Sequence, residues 1–499
     1  MKILGLYFGR CCDIIKIYNG REGIFLQKTK SRPIDKIRDF FVSPAFMFLP
    51  TALAMAGILL GEQMRMPCMI ANAWLFALIL FLSDDFLAIF MPFMGVMVDG
   101  TQYFGKWTDI LDYLPWAIPV VIAFAFHFIV YRKPIRFGVS ARGNFAVAIA
   151  ILLGGFGVLS FSDLMSAEGI YHYVMCSAGL FLLYIIFYSN LRTRKRYDIY
   201  ENFLWCLFYI GLACSVMVLF YFADYFLSTE KFRAQDYMEI LYARNSVAPL
   251  LTMALPAPFY FAKKKTGVLS RIFAFLMGLV FYLSLMLTCA RTAFVFGTLL
   301  FFVCIVYLCY GRKDIVLKVV CLAFLAIAAA VAVRYFGEEL WKVVKARLSD
   351  GKLISPEEAR YKLFFRSLED FMRLPLFGIG LVSTVNEDIC GATEGSLLWY
   401  HMYFPQIFGS MGLTGMAAFV YQGIIRLRLC LYRPVLKTVG IALSLLGLFL
   451  YSQTDPGEFI PIPFGIMAIL MFALLDRYYE DHSVLDDAEK KNWLLFPEK

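Results

Sequence analysis

The chain has 499 residues, 61% of them hydrophobic and 17% charged, with a formal net charge of +9 and a mean hydropathy of +0.69. A soluble chain of this size needs more charge to cover its surface. Apolar runs of about 20 residues, enough to cross a bilayer core, recur along it. This excludes a soluble protein, and continuous runs in place of short alternating segments exclude a β-barrel, which leaves an all-α polytopic membrane protein.

Residues 1–41 are polar and basic and read as a cytoplasmic segment with no cleavable leader. About eleven spans are expected in residues 42–335, over 42–60, 67–82, 86–99, 114–131, 144–162, 170–189, 203–227, 246–262, 272–288, 292–310 and 315–335. A long loop follows at 336–399. Three further spans, over 400–425, 435–452 and 459–476, bring the total to about fourteen, and 477–499 form a tail. Most of the 12 cysteines sit in apolar runs, as Cys206, Cys214, Cys304, Cys309 and Cys321 do, where they act as small hydrophobes. Cys390 stands alone in the long loop, so no disulfide framework is expected.

With the N-terminus inside, the cytoplasmic segments hold 32 Lys and Arg residues, counting Arg426 among them. The outer segments hold 14, eight of those in the long loop, and Arg334 lies near a span end. Short loops govern orientation, so both termini are expected in the cytoplasm and the 336–399 loop outside. The positive charge thus reflects topology, and no nucleic-acid partner is implied. Within the loop, Ser355-Pro-Glu-Glu358 is a helix start with a capping box. Tyr361, Phe364, Phe365, Leu368, Phe371 and Met372 then recur at helical spacing, a face expected to lie on the membrane surface or against the spans. Leu374-Pro-Leu-Phe-Gly-Ile-Gly380 ends that helix in a turn.

The polar groups expected at the outer face are few. Arg291 lies in a very short turn between spans, Arg244 and Asn245 precede the span at 246, Arg360 begins the loop helix, and His401 opens the span at 400. Arginine offers planar paired donors to phosphate, and histidine exchanges a proton near neutral pH. Together they suit an anionic lipid head group. Each also has a plainer reading: Arg291 snorkelling to lipid, Arg360 on a solvated helix face, His401 in an aromatic belt with Tyr400 and Tyr403. Gly378 and Gly380 can present backbone amides to a phosphate, or simply make a turn. His127 and His172 read as structural. No outer loop carries a metal-ligand pattern and no nucleotide-binding loop occurs, so chemistry without metal or cofactor is expected.

Three stretches bear a family likeness. Leu287-Thr-Cys-Ala-Arg-Thr-Ala-Phe holds Arg291. Ala359-Arg-Tyr-Lys-Leu-Phe-Phe-Arg-Ser-Leu, with Leu374-Pro-Leu-Phe-Gly-Ile-Gly, holds Arg360. Tyr400-His-Met-Tyr-Phe-Pro-Gln-Ile-Phe-Gly-Ser-Met-Gly-Leu-Thr-Gly holds His401. In their order, and with Arg244-Asn-Ser-Val-Ala-Pro-Leu-Leu ahead of them, they resemble the bacterial O-antigen ligase and O-antigen polymerase superfamily over about residues 240–425. Ala290 stands where that family has Ser, and Met402 where it has Asn.

The resemblance implies a GT-C-like membrane fold and a metal-independent, inverting glycosyltransferase acting at the outer face of the bacterial cytoplasmic membrane. Its donor would be an oligosaccharide on undecaprenyl diphosphate, and a glycan acceptor hydroxyl would attack the anomeric carbon. Arg291 and Arg360 would stabilise the departing diphosphate and His401 would serve the acceptor. Arg244, Asn245, Gly378 and Gly380 would help bind substrate. A polymerase is expected ahead of a ligase, since no dedicated acceptor is indicated. A lipid-linked oligosaccharide flippase is the rival class, disfavoured because charges at mid-span are scarce and the two halves differ.

Overall fold

The computed structural model describes residues 33–103, 114–131, 133–158, 167–191, 198–228, 237, 240–241, 244–310, 359–381 and 399–493. The chain divides into two compact units, Met1–Ile37 and Arg38–Lys499. The helices belong to the second, apart from the opening residues of α1.

The described residues form helices and no strand. In order they are α1 Pro33–Phe41, α2 Pro44–Leu59, α3 Glu62–Leu82, α4 Leu87–Tyr103, α5 Leu114–Val130 and α6 Ser140–Val158. Then come α7 Ala167–Val174 and α8 Leu180–Asn190, joined by a π turn at Met175–Gly179, and α9 Ile199–Ser228. Next are α10 Arg244–Ala254, α11 Pro256–Lys264, α12 Val268–Leu287 and α13 Thr298–Cys309, the last entered through a π turn at Ala293–Gly297. The loop helix is α14 Ala359–Arg373. The chain then runs through α15 Tyr403–Leu431, α16 Leu436–Ser452 and, after a π turn at Pro461–Gly465, α17 Ile466–Trp493.

Local chemistry sets several of these boundaries. Ser43 caps α2, its hydroxyl accepting from Phe46 N, with Pro44 at the first helical position. Asp85 caps α4 through Leu87 N at 3.0 Å, which makes the Ser83–Asp85 turn tight enough to join α3 and α4. Asp198 caps α9 through Tyr200 N at 2.9 Å. Pro256 and Pro258 lack the amides an unbroken helix needs, and the span expected at 246–262 is accordingly two helices, α10 and α11.

Six of these segments are long and apolar enough to cross a membrane: Gln63–Leu82, Ile170–Asn190, Ile199–Ser228, Val268–Leu287, Tyr403–Leu431 and Pro461–Ser483. Of the other expected spans, 246–262 falls on α10 and α11, 315–335 lies outside the described residues, and the rest fall on shorter helices. Leu227 at 85% exposure and Leu269 at 81% face outward in a way water would penalise and lipid would not. Inside, lipid offers no hydrophobic drive between helices, so close packing carries the association. Gly211 of α9 shows this: a methyl group there would come within 2.3 Å of the Phe281 ring on α12.

Three local expectations are corrected or narrowed. The outer loop expected at 61–67 is nearly absent, because Gly61 at φ 84 turns the chain alone and α3 begins at Glu62. On α14 the packed face is Leu363, Ser367 and Asp370, each at most 1% exposed, whereas Met372 is 74% exposed and Phe364 and Phe365 also face outward. The carboxylate of Asp370 draws the opposite face inward, since Arg366, Arg373 and Tyr400 gather round it. The aromatic face is left free.

The third concerns α15, expected as a straight span. At Gly412 (φ 59, ψ −151) it breaks. A Cβ built on Gly415 would lie 3.2 Å from Ile407 O, although eight residues of straight helix cover about 12 Å. The Tyr403 and Phe419 rings are 5.9 Å apart, against about 24 Å between their Cα atoms in a straight helix. The chain therefore folds back on itself. The Pro375–Gly380 turn locks the fold: Leu413 N donates to Pro375 O at 2.8 Å, Thr414 N to Leu376 O at 3.1 Å and Gly380 N to Ser410 O at 2.8 Å. Gly412 sits in a backbone region nearly restricted to glycine, and a methyl there would lie 2.5 Å from Pro375 O. Gly412→Ala is expected to cost about 3 kcal/mol, read as a lower midpoint in thermal unfolding of detergent-purified protein. Gly423→Ala, which meets nothing within 4 Å, is the control. Equal midpoints for the two variants would show that the break is not held at Gly412.

Candidate functional site

The end of α16 and the turn after it, Tyr451–Glu458, gather four of the residues singled out in the sequence. Tyr451 OH reaches Asn245 O at 3.5 Å, bringing the start of α10 alongside, with Arg244 as its first residue. Thr454 Oγ1 and Thr292 Oγ1 lie 2.6 Å apart, which ties in the Arg291 turn. Asp455 Oδ1 lies 4.0 Å from His401 Nδ1.

The turn itself is held by close contacts. Gly457 (φ 47) lies so close to Ser452 that a methyl would sit 1.9 Å from its hydroxyl oxygen. Glu458 N donates to that oxygen at 3.2 Å. One carboxylate oxygen of Glu458 then accepts from Arg426 Nη1 of α15 at 2.6 Å, and the Arg426 guanidinium stacks 4.3 Å over the Phe472 ring. Arg426 was expected among the inner charges. Its side chain, only 15% exposed, instead lies within the helices and pairs with the turn that carries Asp455.

His401 occupies a left-handed backbone conformation, φ 52, unusual for a histidine. Its neighbours enforce it. Tyr400 is fully buried, its N donates to Gln406 Oε1 at 3.0 Å, and its OH donates to Asp370 Oδ2 at 2.8 Å. Gln406 is held in turn by Ser410 Oγ at 2.8 Å, and the Tyr400 ring lies over Gly409. The imidazole is left 42% exposed beside a carboxylate that is only 11% exposed. A base or proton donor with an orienting acid is the arrangement that proton transfer uses.

The Arg291 turn is shaped by Cys289 at φ 55 and by Thr288, whose hydroxyl donates to Leu285 O at 2.7 Å and accepts from Ala290 N at 3.4 Å. Arg291 is exposed while Thr292 is buried, so the turn presents the guanidinium outward. Among the described residues, Arg244 Nη1 is buried without a hydrogen-bond partner. Arg360 lies in the first turn of α14, and the position of its side chain falls outside the described residues. Gly378 and Gly380 have the positive φ of their turn, 69 and 85. Their amides are spent on Leu374 O and Ser410 O, so the structure assigns them to the lock on α15 and gives them no free donor for a phosphate. His127 bonds Leu80 O at 3.0 Å, and His172 packs edge-on to Trp399 at 5.4 Å.

Asp455 was missed by sequence reasoning. The available signal was Asp455-Pro-Gly457, a turn signature between two spans at the end where His401 was expected. Comparison with models of known protein families and with curated proteins finds no match.

Proposed function

We propose that the chain is a membrane glycosyltransferase of the O-antigen ligase and polymerase type, which polymerises oligosaccharide repeat units carried on undecaprenyl diphosphate at the outer face of a bacterial cytoplasmic membrane. The observation that carries the reading is the convergence on Tyr451–Glu458 of the Arg244 helix start, the Arg291 turn and His401 with its Asp455 partner. In this reading the arginines bear the charge that builds on the leaving diphosphate. His401, oriented by Asp455, takes the proton of the attacking hydroxyl. The shorter apolar helices complete about fourteen crossings, both termini are cytoplasmic, and the exposed aromatic face of α14 rests on the outer membrane surface.

The test is transfer by the purified protein from an undecaprenyl-diphosphate oligosaccharide. Lengthening of the lipid-linked glycan marks a polymerase, and movement to a second acceptor marks a ligase. Chelator should leave the rate unchanged; loss with chelator and rescue by a divalent ion would overturn the metal-free chemistry. Orientation is tested separately. Glu369→Cys, on the polar side of α14 and 64% exposed, should react with an impermeant thiol reagent in intact cells in a background lacking Cys390, and labelling only after lysis would reverse the topology.

A transporter of lipid-linked oligosaccharide is the second reading, favoured by the Arg426–Glu458 pair within the helices. Beside it a cavity of about 50 Å³ is lined by Asn144, Gln422 and Phe459. Transbilayer movement of labelled donor in vesicles without glycan transfer would select it.

A further inference from the structure

Arg65 sits near the start of α3 and is 5% exposed. Its Nη2 donates to Tyr221 OH of α9 at 2.8 Å, and among the described residues its buried Nε has no hydrogen-bond partner. Among the described residues no carboxylate pairs with it. A guanidinium enclosed by protein without a counter-charge is costly, and such a group in a membrane protein marks a place where an anion belongs. A lipid-facing arginine would snorkel to the head groups unaided; this one is covered, and among the described residues its hydrogen-bond partner is a neutral phenol.

The surroundings define the anion. Tyr221 accepts from Arg65 and keeps its own phenolic proton for another acceptor. Helix α3 opens at Gly61, which has no side chain to cap it, so the first amides of the helix, which begins with Glu62, carry no side-chain cap among the described residues. Paired planar donors, a hydroxyl and a helix start are the recognition set for a phosphate oxygen group. Around the same turn Leu59, Leu60 and Met64 are all substantially exposed, which suits acyl chains and not bulk water. We propose that Arg65, Tyr221 and the start of α3 form a binding site for the phosphate of a membrane lipid. The site shares no residue with the one at His401 and does not depend on the glycosyl-transfer reading.

The test uses full-length protein, delipidated in neutral detergent, with thermal unfolding followed during titration. The probes are short-chain phosphatidylglycerol, diacylglycerol of the same chain length, and inorganic phosphate. Phosphatidylglycerol should stabilise saturably, diacylglycerol should not, and inorganic phosphate should bind at least about tenfold more weakly for want of chains. Arg65→Gln should weaken the phosphatidylglycerol response about tenfold or more, and Tyr221→Phe about threefold. Equal stabilisation by diacylglycerol, or wild-type affinity in both variants, overturns the site. Inorganic phosphate binding as tightly as phosphatidylglycerol overturns the lipid assignment in favour of a free-phosphate site. If Arg65→Gln does not fold, Tyr221→Phe decides alone, since it removes one hydroxyl and keeps the ring; unchanged affinity in that variant is then the overturning result.

Discussion

Arg291→Lys is expected to slow transfer from an undecaprenyl-diphosphate donor about a hundredfold, the effect of losing roughly 3 kcal/mol of stabilisation made mainly in the transition state. Lysine keeps the charge but not the planar paired donors, so a diphosphate clamp suffers where a snorkelling side chain would not. Arg360→Lys tests the same role from α14. Arg291→Ala combined with Arg360→Ala should fall well short of additive if both grip one diphosphate. His401→Ala should slow transfer while donor binding is kept. Asp455→Asn should reproduce part of that loss, because it removes the charge facing a protonated imidazole and leaves the side chain's shape. Rates near wild type for Arg291→Lys, Arg360→Lys and His401→Ala, in folded protein, would sink the assignment and most of the case for an enzyme.

The structure shows why part of this site was legible in the sequence. Arg244, Arg291 and His401 each stand beside an apolar run, and a polar residue at such an edge is conspicuous in a chain with 17% charge. Helix positions were legible for the same reason, since runs of apolar residues mark them directly. What failed to show was how helices bend and what they bring together. The reversal at Gly412 depends on ψ −151 and on amides donated to the Pro375–Gly380 turn; a glycine among apolar residues reads equally as close packing. Which of its two expected placements the aromatic face of α14 takes was not legible, because hydrophobic periodicity ignores what a buried Asp370 gains from two arginines and a tyrosine hydroxyl. Arg426 was counted by its nearness to a basic loop, although its partner, Glu458, lies in the turn that ends the next helix.

That pair carries the second large expectation. Replacing Arg426 with Met should destabilise the fold by about 3–5 kcal/mol, because Glu458 would be left enclosed without a counter-charge. Glu458→Gln should cost less, since an amide still accepts a hydrogen bond, though Arg426 then lacks its charge partner. The double change Arg426→Met with Glu458→Leu should recover most of the loss, as apolar pairs commonly replace buried ion pairs without penalty. Thermal unfolding of the three variants in detergent measures this, and a double variant no more stable than Arg426→Met would mean the two groups are not energetically coupled. Transfer should separate from stability. Glu458 holds the turn in which Thr454 meets the Arg291 turn and Asp455 meets His401. A double variant that folds as well as wild type yet transfers poorly therefore identifies the pair as the clamp that keeps Asp455 against the imidazole. Full transfer in that variant would make the pair a packing element alone, and the turn would have to be held by Ser452 and Gly457 instead.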